Sequence, residues 1–580
     1  MELITLDNFA AIMPAWHPGL SNHLYALVDM GSNGIRFTIS DLTPPRSRLL
    51  RCIYRERADI SLFDALSTTP PGEPLRFPEE VIFRVPKVLS RFKGIALAYG
   101  VPLEHISIFA TEAMRKASNA AAMLEAIYAA SGLQVQVIAP EVETLFGAMG
   151  ARSAYGHVKG LFLDLGGGSV QMSYIDTRLD NYELQAARYG KSLPFGAARL
   201  SNILRNQNTD TQALARNELQ DGVLRSFTDL RQQYQSLADT QAEGGDGIDL
   251  YLCGGGFRGY GSMLMHSDPI QPYPIPTIGG YTVDGQRFRN VVALREINAT
   301  HDGKISGMSK RRRLQFPAVA EVVEALAAAI PRIRSATFCS GGNREGALLM
   351  RLPGSIRESN PLSTLTQAQD ETRGEVAKAV LEILEAAVPA VVRQWIPTIF
   401  SLRVAPLFID RIWSRQGDPE ESNAALELRH SLTFDPNCPG LTNIARTVLA
   451  LTTSARWSTK QAPADEVLHQ NLRALASSAH PEAVFWAEYI GTVAATLCKI
   501  VPVAPVAPGS LRAALGIDAN LSEPVSEGLP KVLKLQLTVP ETTRQALGYD
   551  TLVESLKQLG KQKIGLSTIS LKVEVEVSAS

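Results

Sequence analysis

The hydrophobic pattern of the chain changes twice. Over roughly its first 350 residues short apolar runs alternate with helical patterns, which predicts an α/β fold. From about residue 367 the apolar period becomes 3.6, and beyond 525 a strand-like alternation returns. Leu24 to Leu42 is the first stretch of interest. It runs through apolar residues to Asp29, turns at Gly31-Ser32-Asn33-Gly34, and returns with Ile35, Phe37 and Ile39 alternating with polar positions, which predicts a hairpin. Gly160 to Asp176 repeats the design, with Leu161-Phe162-Leu163, Asp164, then Gly166-Gly167-Gly168-Ser169 and a second alternating run. Glycines directly after a strand let backbone N–H groups approach an anion. Two such hairpins predict two similar halves facing one another across a cleft, each offering a phosphate loop.

Between the hairpins, Pro78 to Tyr99 has helical spacing, and His105 to Ala110 reads as a strand. Thr111 then caps a helix with Arg115 about one turn in, open either to an exposed ion pair or to an anion. Ala120 to Ser131 reads as a helix and Val135 to Ile138 as a strand. Pro140 opens the next helix with Glu141 and Glu143 in its first turn, where carboxylates suit the macrodipole. That helix leads into the second hairpin, so its N-terminus is expected near the cleft.

In the second half, Thr211 to Ala238 reads as an amphipathic helix, and the strand Ile248 to Cys253 empties into a third glycine loop, Gly254 to Gly261. Such a loop can admit a ring or sugar against bare backbone, or serve tight packing. Lys310 to Arg313 is a basic quartet, read as the solvated face of a helix start rather than a nucleic-acid patch, because the apolar-periodic run Phe316 to Ile330 follows. Ala336 to Cys339 runs into Ser340-Gly341-Gly342-Asn343-Arg344-Glu345-Gly346, and the first large region closes near Leu352. Residues 353 to 366 read as a linker, 367 to 500 as an all-helical domain, Val501 to Pro508 as a proline linker, and 525 to 580 as a small α/β module of strand, helix and strand.

Composition adds exclusions. At 580 residues the chain exceeds what one core supports, and its 45% apolar and 20% charged content with a net charge of -1 gives no electrostatic ground for nucleic acid or an anionic membrane. Five cysteines without CxxC pairing predict neither a disulfide framework nor a zinc cluster. The opening MELITLDNF has no basic region before an apolar run, and Tyr489 to Pro508 is interrupted by Lys499 and three prolines, so neither a secretory signal nor a membrane span is expected. The expected location is cytoplasmic, with nuclear access left open.

Asp29-Met30-Gly31-Ser32-Asn33, the element Ala110-Thr111-Glu112-Ala113-Met114-Arg115, Glu143 and Asp164-Leu165-Gly166-Gly167-Gly168-Ser169 together resemble the ordered motifs of the exopolyphosphatase and guanosine-pentaphosphate phosphohydrolase (Ppx/GppA) family. The resemblance covers about Tyr25 to Leu352. Within it, CGGGFRGYG at 253–261, IGGYTVDG at 278–285, MSKRRR at 308–313 and SGGNREG at 340–346 are most similar to fungal retrograde-regulation proteins, which relay mitochondrial dysfunction to nuclear transcription. The resemblance implies the actin-like, sugar-kinase and Hsp70 ATPase fold, with related halves at 20–155 and 156–352 around a cleft.

The resemblance also implies roles. Glu143 is the expected general base, Gly31, Ser32, Asn33 and Gly34 with Gly166, Gly167, Gly168 and Ser169 the phosphate cradle, and Arg115 its clamp. Asp29 and Asp164 are expected to hold Mg²⁺, mostly through waters, and Gly254, Gly255 and Gly256 to meet a nucleotide. Two positions depart from the family. Val142 stands where a second acid commonly precedes the base, and Gln171 stands where bacterial enzymes place a glutamate. Apyrases of the same fold look similar at that place, with a glutamine positioning a water, so Gln171 joins Glu143 as a candidate catalytic residue. His430, His469 and His480 lack the adjacent Asp of an HD-type helical region, so no metal site beyond the cleft is expected. The implied partners are a nucleotide or polyphosphate and a regulatory protein, with homodimerisation left open. The implied function is hydrolysis of a terminal phosphoanhydride; the alternative is a non-catalytic or very slow ATP-binding sensor that regulates a partner by cleft closure.

Overall fold

The computed structural model describes residues 3–13, 16–70, 72–205, 208–365, 371–414, 420–434, 438–522, 531–559 and 571–579. The chain forms two compact units: Met1–Asp268 with Thr277–Pro361, and Pro269–Pro276 with Leu362–Ser580. Residues 269–276, expected in the second half of the cleft domain, therefore belong to the other unit.

The first unit is built twice over. One sheet has the order β1-β6-β5-β2-β3-β4, from β1 (Leu3–Ile4), β2 (Leu24–Gly31), β3 (Gly34–Asp41), β4 (Arg51–Ala58), β5 (Ile106–Ala110) and β6 (Val135–Ile138). The other has the order β11-β12-β10-β7-β8-β9, from β7 (Lys159–Leu165), β8 (Val170–Asp176), β9 (Lys191–Leu193), β10 (Ile248–Cys253), β11 (Thr282–Asp284) and β12 (Ile333–Phe338). From β6 to β4 and from β12 to β9 the orders match strand for strand. This repeat gives the two similar halves that the hairpins predicted, in the actin-like ATPase organisation that the family resemblance implied.

The central strand β2 shows why the sheets sit inside. Tyr25 and Leu27 enter one hydrophobic cluster while Ala26, Val28 and Met30 enter another on the opposite face, as alternating side chains must when both faces are covered. Asp29 and Asp164 stand at the ends of β2 and β7, outside the apolar layers, where open α/β sheets bind ligands. The helices that bear on the cleft are α1 (Leu62–Leu66), α2 (Glu112–Lys116), α3 (Pro140–Arg152), α4 (Ala197–Leu204), α5 (Gly254–His266), the 20-residue α6 (Lys310–Ala329) and α7 (Asn343–Arg351). The expected glycine loop at 254–261 is thus the start of α5.

Helices α3 and α7 cross at backbone distance, and the crossing requires glycine. A Cβ at Gly346 would lie 1.8 Å from the Phe146 carbonyl oxygen, one at Gly150 2.0 Å from the Gly342 oxygen, and one at Gly341 1.9 Å from the Gly150 oxygen. Each contact is backbone against backbone, so no side chain can yield.

The second unit joins helices and sheet over one core. Helices at Glu420–Thr433, Asn443–Ala455, Glu466–Ala479 and Ala483–Ile500 share a hydrophobic cluster with β14 (Lys531–Val539) and β15 (Leu571–Ala579), so the segments expected as separate domains are continuous inside. The sheet has a strand that the pattern did not show: β13 (Gly516–Ser522) pairs antiparallel with β14, while β14 and β15 run parallel. Between β14 and β15 the expected single helix is divided into Glu541–Leu547 and Tyr549–Leu559 by Gly548, whose φ is 73°. Ala483–Ile500 is long and apolar enough to cross a membrane, but 83% of its window is buried in this unit's own core.

Alanine ordinarily stabilises a helix relative to glycine by about 1 kcal/mol. At Gly346 the Phe146 carbonyl reverses the sign, and Gly346→Ala is expected to destabilise the first unit by about 1–3 kcal/mol. Chemical denaturation checks this, and an unchanged or raised midpoint would rule out the contact.

Candidate functional site

Cross-strand register makes the two hairpins chemically comparable. In the first, Asp29 pairs with Arg36 across β2 and β3; in the second, Asp164 pairs with Gln171 across β7 and β8. The same position opposite the carboxylate therefore carries a cation in one half and an amide in the other. Arg36 reaches Asp29 Oδ2 at 3.9 Å and remains 38% exposed, while Asp29 is buried.

The turns between the paired strands interlock across the cleft. A Cβ at Gly167 would fall 2.6 Å from the Asn33 amide carbon, and one at Gly168 would fall 2.0 Å from Glu112 Oε2 and 3.2 Å from Ser32 Oγ. Gly196 is held as closely, with its Cβ position 2.3 Å from the Ser169 nitrogen and 2.4 Å from the Gly167 oxygen. Bare backbone is the only surface that lets these segments meet.

One cavity lies between the turns. Ser32, Asn33 and the glycines at 31 and 34 line one side, and Gly166, Gly167, Gly168 and Ser169 the other. Asp29, Asp164, Glu143 and Gln171 reach it, as do Gly254 and Gly255. Glu141 is not among the lining residues, so of the two acids opening α3 only Glu143 faces the cavity. Gly256 is absent as well. Its Cβ position lies 2.5 Å from the Leu165 side chain, and it serves packing of α5 on β7.

Arg115 does not line this cavity either. Its Nη2 donates to Glu143 Oε2 at 3.0 Å and its Nη1 to the Ile138 carbonyl at 2.6 Å, so it holds the carboxylate it was expected to work beside. Burial is the largest influence on Glu143 and raises its pKa to about 7. The Arg115 charge opposes this, and Asp29 and Asp164 reinforce it. Both aspartates are raised too, chiefly by burial.

Three lining residues went unnamed as site residues in the sequence reading. Thr111, expected to cap α2, makes no side-chain capping bond and faces the cavity. Asn343 arrives from the first turn of α7. Arg36 had a legible signal, because the seven-residue spacing from Asp29 to Arg36 repeats that from Asp164 to Gln171. The basic quartet also differs from its expected solvated face. Arg311 Nη2 donates to Asn33 Oδ1 at 2.8 Å, Ser61 Oγ at 2.9 Å and Asp64 Oδ2 at 2.9 Å, tying the second half to the first turn of the cleft. Arg313 is bound to backbone carbonyls of Asn298, His301 and Gly303.

The donor set fits a hard divalent cation. Asp29 Oδ1 and Asn343 Oδ1 are buried without hydrogen-bond partners among the described residues, and Asp164 Oδ2, Asn343 Oδ1 and Gln171 Oε1 all lie within 3.4 Å of one point beside Gly147. Among the described residues no group of three or more His, Cys, Asp or Glu side chains encloses a metal. An ion there would keep several water or phosphate ligands, as Mg²⁺ does.

A model of the Ppx/GppA phosphatase family matches residues 43–354, and a model of the RTG2 C-terminal domain matches 360–580. Retrograde regulation protein 2 of Saccharomyces cerevisiae is 28% identical over 571 residues, 96% of this chain and 94% of that protein. Exopolyphosphatase 1 of Mycobacterium leprae is 25% identical over 290 residues, 50% of this chain and 78% of that protein. Among solved structures, the Aquifex aeolicus Ppx/GppA phosphatase type II variant is 20% identical, covering 57% of this chain and 99% of its own, with a TM-score of 0.42.

The raised pKa of Glu143 carries a stability signature. Its folded value near 7 exceeds the ordinary value of 4.5, so as pH rises between them the unfolded chain releases this proton first and the folded state is progressively disfavoured. Glu143→Gln is therefore expected to stabilise the protein at pH 8 by on the order of 2 kcal/mol and to have little effect below pH ~4.5. Melting temperatures of both proteins across this window check it; a difference independent of pH would remove the assignment.

Proposed function

Because the chain belongs to the Ppx/GppA phosphatase family, we propose that its cleft binds the terminal phosphoryl groups of a polyphosphate or nucleotide with Mg²⁺ and hydrolyses the terminal phosphoanhydride by in-line attack of water. The observation that carries this reading is the convergence of Glu143, Asp29 and Asp164 on one cavity walled by two glycine turns. Backbone N–H groups of 31–34 and 166–169, with the Ser32 and Ser169 hydroxyls, hold the phosphoryl oxygens. Arg36 supplies positive charge at the cavity edge. Glu143, poised near neutral pH, takes the proton of the attacking water while Arg115 fixes its orientation. Gln171 has no charge to offer and orients the water by hydrogen bonding. Asp29, Asp164 and Asn343 would hold Mg²⁺, which supplies neutralisation of the developing phosphoryl charge.

The similarity to Retrograde regulation protein 2 across nearly its whole length, together with the RTG2 C-terminal match, supports reading the protein as one of the retrograde-regulation type; a cytoplasmic location and action on a regulatory partner are part of the proposal. It also favours a second reading, in which the same cleft binds nucleotide with little turnover and its closure is the signal.

Phosphate release from polyphosphate, ATP and guanosine pentaphosphate, measured with Mg²⁺ for wild type and Glu143→Ala, separates the two. Hydrolysis predicts a loss of roughly 10²-fold or more in the variant. Equal background release from both proteins on all substrates would overturn the hydrolase and leave the sensor, for which ATP should raise the melting temperature.

A further inference from the structure

A second cavity, of about 160 Å³, lies beside the phosphate cleft, with Ser32 lining both. Phe63 and Leu66 of α1, Leu75, and Ala113 of α2 give it apolar walls. Ser67 and Lys116 also line it and are exposed, so a solute can enter from the solvent. Its volume is close to that of the engineered apolar cavity of about 150 Å³ that takes up benzene. It has room for one small ring.

Three charged side chains line the cavity: Glu112, Lys116 and Arg199. Glu112 Oε1 accepts from Lys116 Nζ at 2.5 Å and lies 3.0 Å from Arg199 Nη2. One carboxylate therefore faces two cations, and a single positive charge is left over. The Lys116 ammonium has three N–H donors, of which Glu112 Oε1 takes one. The Arg199 guanidinium lies 5.7 Å from the centroid of the Phe63 ring, which brings its charge to the apolar wall. Arg199 belongs to α4 of the second half, whereas the other lining residues come from the first.

Charge and walls together select a ligand class. A surplus of one positive charge beside the Glu112 carboxylate suits a monoanion, whereas a phosphate group, at about -1.5 to -2 near neutral pH, would meet Glu112 with charge to spare. Phosphate also gains nothing from Phe63, Leu66 and Leu75. A flat ring gains from them by burial and by packing against the Phe63 ring. A neutral ring, in turn, leaves the surplus charge unused, and a carboxylate without a ring leaves the walls unused. A small aromatic monocarboxylate satisfies both demands, with its ring on the apolar walls and its carboxylate accepting charge-assisted hydrogen bonds from Lys116 and Arg199.

We propose that the cavity between α1, α2 and α4 is a separate binding site for a small aromatic monocarboxylate, held by Lys116 of one half and Arg199 of the other, so that the bound ligand links the two halves beside the phosphate turns. The site does not depend on what the glycine turns bind. Calorimetric titration of the full chain with benzoate, benzamide, acetate and inorganic phosphate tests it. Benzoate is expected to bind about tenfold or more tighter than each of the others. Lys116→Met and Arg199→Met each remove the surplus charge and should weaken benzoate about tenfold while leaving benzamide within about twofold. Ser67→Trp, at the exposed rim, should weaken benzoate and benzamide alike by obstructing the entrance. Melting curves without ligand show which variants retain the fold. Benzamide, acetate or phosphate binding as tightly as benzoate, or benzoate indifferent to Lys116→Met and Ser67→Trp, overturns the site. Benzoate weakened by Lys116→Met but not by Arg199→Met overturns the link between the halves, and failure of benzoate to bind overturns the whole proposal.

Discussion

Three acids crowd one buried cavity, and much of the first unit follows from keeping them there. Asp29 and Asp164 are fixed by central strands, and Glu143 by the first turn of α3. Each is pushed toward its neutral form by burial, and the charges of the aspartates add to the shift of Glu143. Such crowding is unfavourable without a cation, which is why Arg36 and Arg115 stand beside these carboxylates. Under the proposed function, a divalent cation and a phosphoryl group would relieve this tension together, because each offsets the charge the other leaves uncompensated.

Holding the acids so close depends on glycine as a spacer. Gly167 admits the Asn33 side chain, Gly168 admits Glu112, and Gly254 admits the Asp164 carboxylate, which lies 2.2 Å from the Cβ position. Behind the cavity the α3–α7 crossing uses the same device and brings Asn343 to the site. The glycines thus determine how closely the two halves approach, and the charged ties of Arg311 to Asn33 and of Arg199 to Glu112 operate at that distance.

The second unit is organised by packing. Leu533, Leu535, Leu537 and Val539 of β14 enter the same cluster as Trp486, Tyr489 and Ile490 of the long apolar helix, so neither helices nor sheet has a complete core alone.

Much of the site was legible because its signals are local. An apolar run, an Asp, glycines and a returning alternation specify a hairpin within about twenty residues, and the repeat of that grammar pointed to two halves. The period change near 367 and the alternation in β14 and β15 were legible for the same reason. What the sequence alone could not decide was where long polar side chains reach. Arg115 lies one turn into α2 whether it meets a phosphate or Glu143, Arg311 belongs to a basic run whether it faces water or Asn33, and β13 is a weak pattern until β14 offers it a ladder. Those outcomes depend on cross-strand register and on the approach of segments hundreds of residues apart. Local propensity fixes which element forms and which face turns inward. Only the assembled fold fixes the distance between charges, and that distance decides which carboxylate each arginine holds.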